Sequence, residues 1–309
     1  MHSFGATATT RAAFHNSRPL IGSSAPARIG PLSPVHRTLP PGPWRPTRRL
    51  SGHGAFELTR AAAPGDLGPG CYVLKAAKSN NDITSALLRR EALVSSQIGH
   101  SSLIPVLAAN GDAHIPHLIL PYLEGITLRR LLDSSQRLPV SYALCVIRQI
   151  AAALAGLHSA GWLHGQVRPQ HIILSPQGHA TLIDLARARR LESSECDATG
   201  AIPASPAYSA PETALSRGRL SAADDAYSLG IVLYEALTGQ PPFQATSPRE
   251  LMHSHFHDAP PDLRELRTDA SLEVAELCRR MLAKEPLRRP ATSQVVRWLA
   301  ELEIVELAT

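Results

Sequence analysis

The chain has 309 residues, 44% of them hydrophobic, enough to bury a core as one large domain or two small ones. Its net charge of +5 suggests an anionic partner, yet seven Arg precede Glu57, the first acid, and the remainder holds 24 basic against 26 acidic residues. The basic character therefore belongs to an N-terminal arm, which argues against nucleic acid as the partner of the rest of the chain.

Cys71, Cys145, Cys196 and Cys278 lie far apart with no CxxC spacing. That suits reduced thiols in a cytoplasmic protein and argues against a zinc or disulfide framework. No uninterrupted apolar run reaches the ~18 residues of a membrane span. The longest apolar region, from Ala143 to Leu157, is broken by Arg148 and Gln149. Residues 1–43 are rich in Ser, Ala, Arg, Pro and Gly and lack hydrophobic periodicity, a composition expected to stay disordered. An Arg- and Ser-rich, acid-poor start also matches an organelle transit peptide.

From residue 44 the pattern becomes that of a folded domain. Leu50 to Leu58 carries Gly52 and Gly54, a pair that alone marks a surface turn. The Pro/Gly-rich stretch 63–70 separates two strands, and the second, Cys71 to Lys75, ends in a lysine. A helix over 83–97 follows and carries Glu91. The runs 101–107 and 117–120 read as further strands, after which Pro121-Tyr122-Leu123-Glu124-Gly125 forms a connection. Residues 141–159 carry Leu144, Ile147, Ala151, Leu154 and His158 at helical spacing and predict a core helix.

That helix turns at Ser159-Ala160-Gly161 and leads into His164-Gly165-Gln166-Val167-Arg168-Pro169-Gln170-His171, followed by a β-like run over 172–174. A second β run ends in Asp184-Leu185-Ala186. Next comes Ser205-Pro206-Ala207-Tyr208-Ser209-Ala210-Pro211-Glu212. A buried helix then runs from about Asp225 to Thr238, with Gly239 as its cap and Pro241 as its stop, and a last helix covers 292–302.

In this order the segments resemble the motifs of the eukaryotic-like serine/threonine protein kinase superfamily. The 164–171 loop is similar to the catalytic loop His-Arg-Asp-Leu-Lys-Pro-Glu-Asn, with His164 and Pro169 matching and Arg168 at the Lys position. The Ala-Pro-Glu ending at Glu212, with its Ser-Pro-x-Tyr lead-in, is the most specific match. The resemblance implies a bilobal α+β fold over 44–305: a β-rich N-lobe (44–120), a hinge (121–125) and a helical C-lobe (126–305). It implies that Gly52 and Gly54 belong to a lid over ATP, where the backbone must approach phosphates closely. Lys75, paired with Glu91, would clamp the α/β-phosphates, the Pro121 carbonyl and Leu123 amide would meet adenine, and Asp184 would hold Mg²⁺. His164 and Asp225, and a buried pair between Glu212 and Arg289, would be architectural.

Several positions depart from that pattern. Gln166 stands where the family has its catalytic Asp, and His171 where it has the metal-binding Asn. An amide can hydrogen-bond a hydroxyl but cannot take its proton, and general-base catalysis is worth roughly 10²–10⁴-fold. A neutral imidazole is a poor match for hard, oxygen-seeking Mg²⁺. The stretch 161–174 contains no Asp or Glu. Glu57 replaces the third lid glycine, where a carboxylate would repel a triphosphate unless turned outward. Ala186 replaces the glycine of Asp-Phe-Gly, and Val73, where the family prefers Ala, narrows the adenine pocket. Gly165 replaces the Arg that often receives a phosphorylated activation segment, leaving Ser193, Ser194 and Thr199 without that partner. The reading is a pseudokinase that scaffolds or regulates a protein partner, such as an active kinase, with ATP and Mg²⁺ bound weakly or not at all. A weakly active serine/threonine kinase is the alternative, and nucleic-acid or membrane-surface binding through the arm is a minor third.

Overall fold

The computed structural model describes residues 44–51, 54–79, 81–111, 113–191, 206–214 and 221–308. The basic arm, Gly52, Ser193, Ser194 and Thr199 lie outside the described residues.

Strand alternation builds the first lobe. β1 (Arg45–Ser51), β2 (Phe56–Ala62), β3 (Tyr72–Ala77), β4 (Ala108–Asn110) and β5 (His117–Pro121) form an antiparallel sheet in the order β1-β2-β3-β5-β4. In β3 every second residue, Val73, Lys75 and Ala77, is buried, the period expected of a strand with one face covered. α1 (Asp82–Gln97) lies between β3 and β4 in the chain. Its Leu88 joins Val73, Ala77, Ile104, Leu118 and Leu120 in the apolar cluster of this lobe. The helix starts where Asn81 accepts from the Thr84 amide (2.9 Å) while the Thr84 hydroxyl accepts from the Asn81 amide (3.3 Å), a reciprocal cap.

The expected strand over 101–107 does not form, and β4 begins only at Ala108. Only its last residue, Leu107, donates to the sheet, at the Ile119 carbonyl (2.8 Å), and the donors before it are engaged elsewhere. Ile104 N–H reaches the Leu182 carbonyl (3.0 Å), Val106 N–H reaches Ser95 Oγ (2.6 Å), and Pro105 has no N–H to give. The segment thus stitches α1 to the second lobe instead of widening the sheet.

After β5, Tyr122 N–H donates to the Cys71 carbonyl (2.8 Å), and Gly125, with φ 149°, passes so close to Leu174 that a Cβ would sit 2.1 Å from its carbonyl oxygen. Beyond it come β6 (Ile126–Thr127), α2 (Leu128–Ser135), α3 (Val140–Ser159), β7 (Trp162–Leu163), β8 (Ile172–Leu174), β9 (Ala180–Leu182) and β10 (Arg189–Arg190). Then follow α4 (Ala222–Thr238), α5 (Pro248–His257), α6 (Leu263–Leu266), α7 (Leu272–Met281) and α8 (Thr292–Ala308). β6, β8 and β9 form one small sheet, and β7 pairs with β10.

The core of this lobe is α3 against α8 and α4, with α7 packed on α4, and one apolar cluster unites Leu144, Ile147, Ile150 and Leu154 with Tyr227, Val232, Leu277, Met281, Val295 and Leu299. Among the described residues α3 is the one helix long and apolar enough to cross a membrane. Its polar interruptions have partners within the lobe. Arg148 pairs with Glu303 (2.7 Å), while Gln149 donates to the Gly178 carbonyl (3.1 Å) and accepts from Ala180 N–H (2.9 Å). α8 runs on past the expected end at Leu302, and Glu303 is the residue that Arg148 holds there. α4 ends at Gly239 in the left-handed region, φ 86°. A β-rich first region and a helical second one make the bilobal α+β architecture that the motifs implied.

Candidate active site

Three elements bring charge to one point between the sheet and the β8–β9 hairpin. β3 points Lys75 to the buried face, and α1 supplies Glu91. Nζ of Lys75 lies 2.5 Å from Glu91 Oε2 and 2.8 Å from Asp184 Oδ1. Burial opposes the Lys75 ammonium, but Glu91 and Asp184 outweigh it and hold its pKa above the ordinary lysine range. The Phe56 ring stands 4.9 Å from the same ammonium. Asp184 follows β9 at φ 70°, ψ 73°, a left-handed conformation uncommon outside glycine, and Leu185 and Ala186 are buried behind it. Burial pushes the Asp184 carboxyl up, yet Lys75, followed by His171, outweighs this and keeps it well below the usual carboxylate range.

The 164–171 loop is anchored from α4. Asp225 accepts from the amides of His164 and Gly165, both at 2.9 Å, and meets His158 Nε2 at 2.9 Å. The fully buried His164 ring donates from Nε2 to the Ile183 carbonyl (3.1 Å) and accepts at Nδ1 from Gln166 N–H (3.2 Å), joining the loop to the segment before Asp184. His171 donates from Nδ1 to the Gln166 carbonyl (2.9 Å). Its Nε2 is therefore an acceptor, and Arg168 Nε and Nη2 stand 3.1 and 2.8 Å from it. Burial, opposed by Asp184 and aided by Arg168, pulls His171 down to about 4, so the ring is neutral at pH 7. Asp184 Oδ2 lies 3.4 Å from the same Nε2.

The other expected site residues fall as follows. Gln166 is half-buried in the loop, Gly54 has φ 71°, Pro121 closes β5, and Leu123 packs against the first-lobe cluster. Val73 packs with Leu118 and Leu120. Glu57 does turn outward: Phe56 and Leu58 on either side of it pack against the cluster, and Glu57 pairs with Arg49 (3.1 Å) on the opposite face. There it lines an open groove of about 600 Å³, so it offers no repulsion to phosphates beside Lys75. In the second lobe Arg289 donates through Nη1 and Nη2 to the two oxygens of Glu212, and also to the carbonyls of Ala283, Ala223 and Lys284.

The chain matches the family described as protein kinase domain over residues 68–298. This chain belongs to the protein kinase family. It is similar to the serine/threonine-protein kinase PknB of Mycobacterium leprae, with 30% identity over 215 residues, 68% of this chain and 34% of that protein. It is also similar to PkaA of Streptomyces coelicolor, 32% identical over 259 residues, 83% of this chain and 46% of the relative. With the serine/threonine-protein kinase PknA of Mycobacterium tuberculosis it shares 29% identity over 254 residues, 76% of this chain and 58% of the relative. The chain thus spans between about a third and three fifths of the length of these relatives, and they place it in the eukaryotic-like serine/threonine kinase superfamily.

Kinase-family proteins in general use ATP and Mg²⁺, a hard ion that prefers six oxygen ligands. Here Asp184 can offer one ion a carboxylate oxygen. At the second metal position the donor is a His171 nitrogen already capped by Arg168, and the described residues contain no group of three or more His, Cys, Asp or Glu placed to hold a metal. The residues present do not fit a second ion.

Two contacts went unread in the sequence. Arg168 and His171 stand three apart, a spacing that could have flagged their contact had the loop been read as a turn of 3₁₀ helix. Glu235 of α4 accepts from Tyr208 OH (2.7 Å) and Arg129 (2.5 Å), residues 27 and 106 positions away, and no local pattern announces that cluster.

Proposed function

We propose that this chain is a catalytically impaired member of the serine/threonine kinase superfamily that scaffolds or regulates a protein partner, such as an active kinase. One observation carries the reading. In a site where Lys75, Glu91 and Asp184 are assembled, the position that must take a proton from the acceptor hydroxyl holds the Gln166 amide, and 161–174 contains no carboxylate. Gly52, Gly54 and Lys75 with Glu91 would hold the phosphates of ATP, the Pro121 carbonyl and Leu123 amide would receive adenine, and Asp184 would hold a single Mg²⁺. His171 contributes no second ion. His164, Asp225, Glu212 and Arg289 maintain the architecture of a domain spanning 44–305, with 1–43 as an appended arm. The free thiols Cys71, Cys145 and Cys278 suit a cytoplasmic setting.

A second reading, a weak kinase transferring the ATP γ-phosphate to protein, is favoured by the same Lys75–Glu91–Asp184 arrangement, which is what nucleotide positioning requires. A phosphotransfer assay with labelled ATP in Mg²⁺ and in Mn²⁺ separates the two. The expected result is incorporation at background. Robust Mg²⁺-dependent incorporation that Lys75→Ala abolishes would select the weak kinase.

A further inference from the structure

α5 divides its histidines between two faces. Ser247 caps the helix by accepting from Glu250 N–H (3.2 Å), and Pro248 sets its first turn. At ~100° per residue, His253 and His257 share one face and His255 takes the other. His255 is buried against Tyr227, while His253 and His257 are exposed with ring centres 4.6 Å apart. We propose that His253 and His257 form a surface chelate for a divalent transition-metal ion, with Cu²⁺ preferred to Ni²⁺ and Zn²⁺.

Three properties of the pair carry this. Its ring nitrogens are not committed to any hydrogen bond with another described residue. Every other described histidine except His114 has a ring nitrogen so engaged. A metal ion at His253 and His257 therefore displaces no contact within the fold.

The separation also fits. With a metal–nitrogen bond of ~2.0 Å a ring centre lies ~3.2 Å from the ion, so two rings bound at right angles stand ~4.5 Å apart. Two rings bound tetrahedrally stand ~5.2 Å apart. The observed 4.6 Å is the right-angle spacing of neighbouring ligands in the tetragonal sites of Cu²⁺ and Ni²⁺. The outer torsion of histidine is broad, so each ring can turn a nitrogen towards the ion without moving the helix.

Both rings stand on one helix, so the ion's bond to the first brings the second into reach with little further ordering. No third His, Cys, Asp or Glu completes the set among the described residues. The remaining positions on the ion go to water or to donors from another molecule. Two imidazoles suit transition metals and not Mg²⁺, which seeks oxygen. The site is thus chemically distinct from Asp184, and the proposal stands or falls independently of the nucleotide site.

The test is a Cu²⁺ titration of the full chain, read by electron spin resonance, against His253→Gln, His257→Gln and the double variant. His114→Gln controls for a lone exposed histidine. Glutamine is a good helix former, and both positions on α5 are exposed, so the helix persists in each variant. Each single change should weaken the same one equivalent of bound Cu²⁺ by about tenfold or more, and the double change should remove nothing further. His114→Gln should leave that equivalent intact, and Ni²⁺ and Zn²⁺ should hold it less tightly than Cu²⁺. An unchanged titration in either single variant would overturn the chelate. So would separate losses that add in the double variant, the behaviour of two independent imidazoles. Zn²⁺ bound as tightly as Cu²⁺ would overturn the right-angle geometry.

Discussion

Arg289 and His255 show how much the second lobe depends on single enclosed side chains. The Arg289 side chain is fully enclosed, whereas Glu212 keeps 23% of its side-chain exposure. Removing the guanidinium strands a carboxylate and three backbone carbonyls at once, so Arg289→Ala should lower the unfolding free energy by about 3–5 kcal/mol. Urea melts check this, and a loss inside the ~0–1 kcal/mol range of exposed pairs would contradict it. His255 on α5 is fully buried, with Nδ1 3.0 Å from Tyr227 OH, its ring 5.0 Å from Phe243, and Lys284 donating to its carbonyl (2.8 Å). Burial, reinforced by the Lys284 charge, pulls its pKa from 6.5 to about 4. Between those values the unfolded chain binds a proton that the folded chain refuses, so stability is complete above about pH 6.5 and declines as pH falls towards 4. Asp224, raised by burial to about 6, works in the opposite sense below that pH. Comparison with His255→Phe isolates the histidine. The variant should lose less stability than the parent on going from about pH 7.5 to about pH 5, and equal losses would refute the assignment. At this scale the motif positions were legible because each is a residue type at a fixed place, as Gln166 and Asp184 are. The orientation of Arg168 was not, since it depends on which nitrogen of His171 carries the proton.

Elements were legible where period and punctuation agreed. α3 and α4 have long apolar periodicity, and Gly239 closes α4 as its position suggested. The stretch 101–107 misled because β-branched and apolar residues fit a strand, while the Ile104 donor goes to β9 of the second lobe and the Val106 donor to Ser95 of α1. Gly239 also carries a prediction. At φ 86° a Cβ there would lie 2.3 Å from the Gln136 carbonyl oxygen, so Gly239→Ala adds a backbone collision to the ~1–2 kcal/mol of left-handed strain. Gly178 has a similar φ of 82° but its nearest neighbour, Tyr142 Cε2, would be 3.9 Å away. Thermal melts should therefore show a distinctly larger loss for Gly239→Ala than for Gly178→Ala. Equal losses would mean that the approach of α2's end to this cap is not what demands glycine.

For the whole molecule, the order of motifs along the chain was enough to give two lobes, since each motif belongs to a known place in the kinase architecture. What that order left open is whether holding a nucleotide and reacting it have come apart. The double change Gln166→Asp with His171→Asn places a base and an oxygen ligand in an otherwise assembled site, and phosphotransfer should rise by at least about 10²-fold over the parent. A flat response would locate the defect in the pocket around Val73 instead. One further consequence follows from the short Lys75–Glu91 contact. Glu91 is almost wholly enclosed, so an outward swing of α1 would strand its carboxylate away from the one cation that meets it. The contact therefore rivets α1 to the sheet by charge as well as by the packing of Leu88.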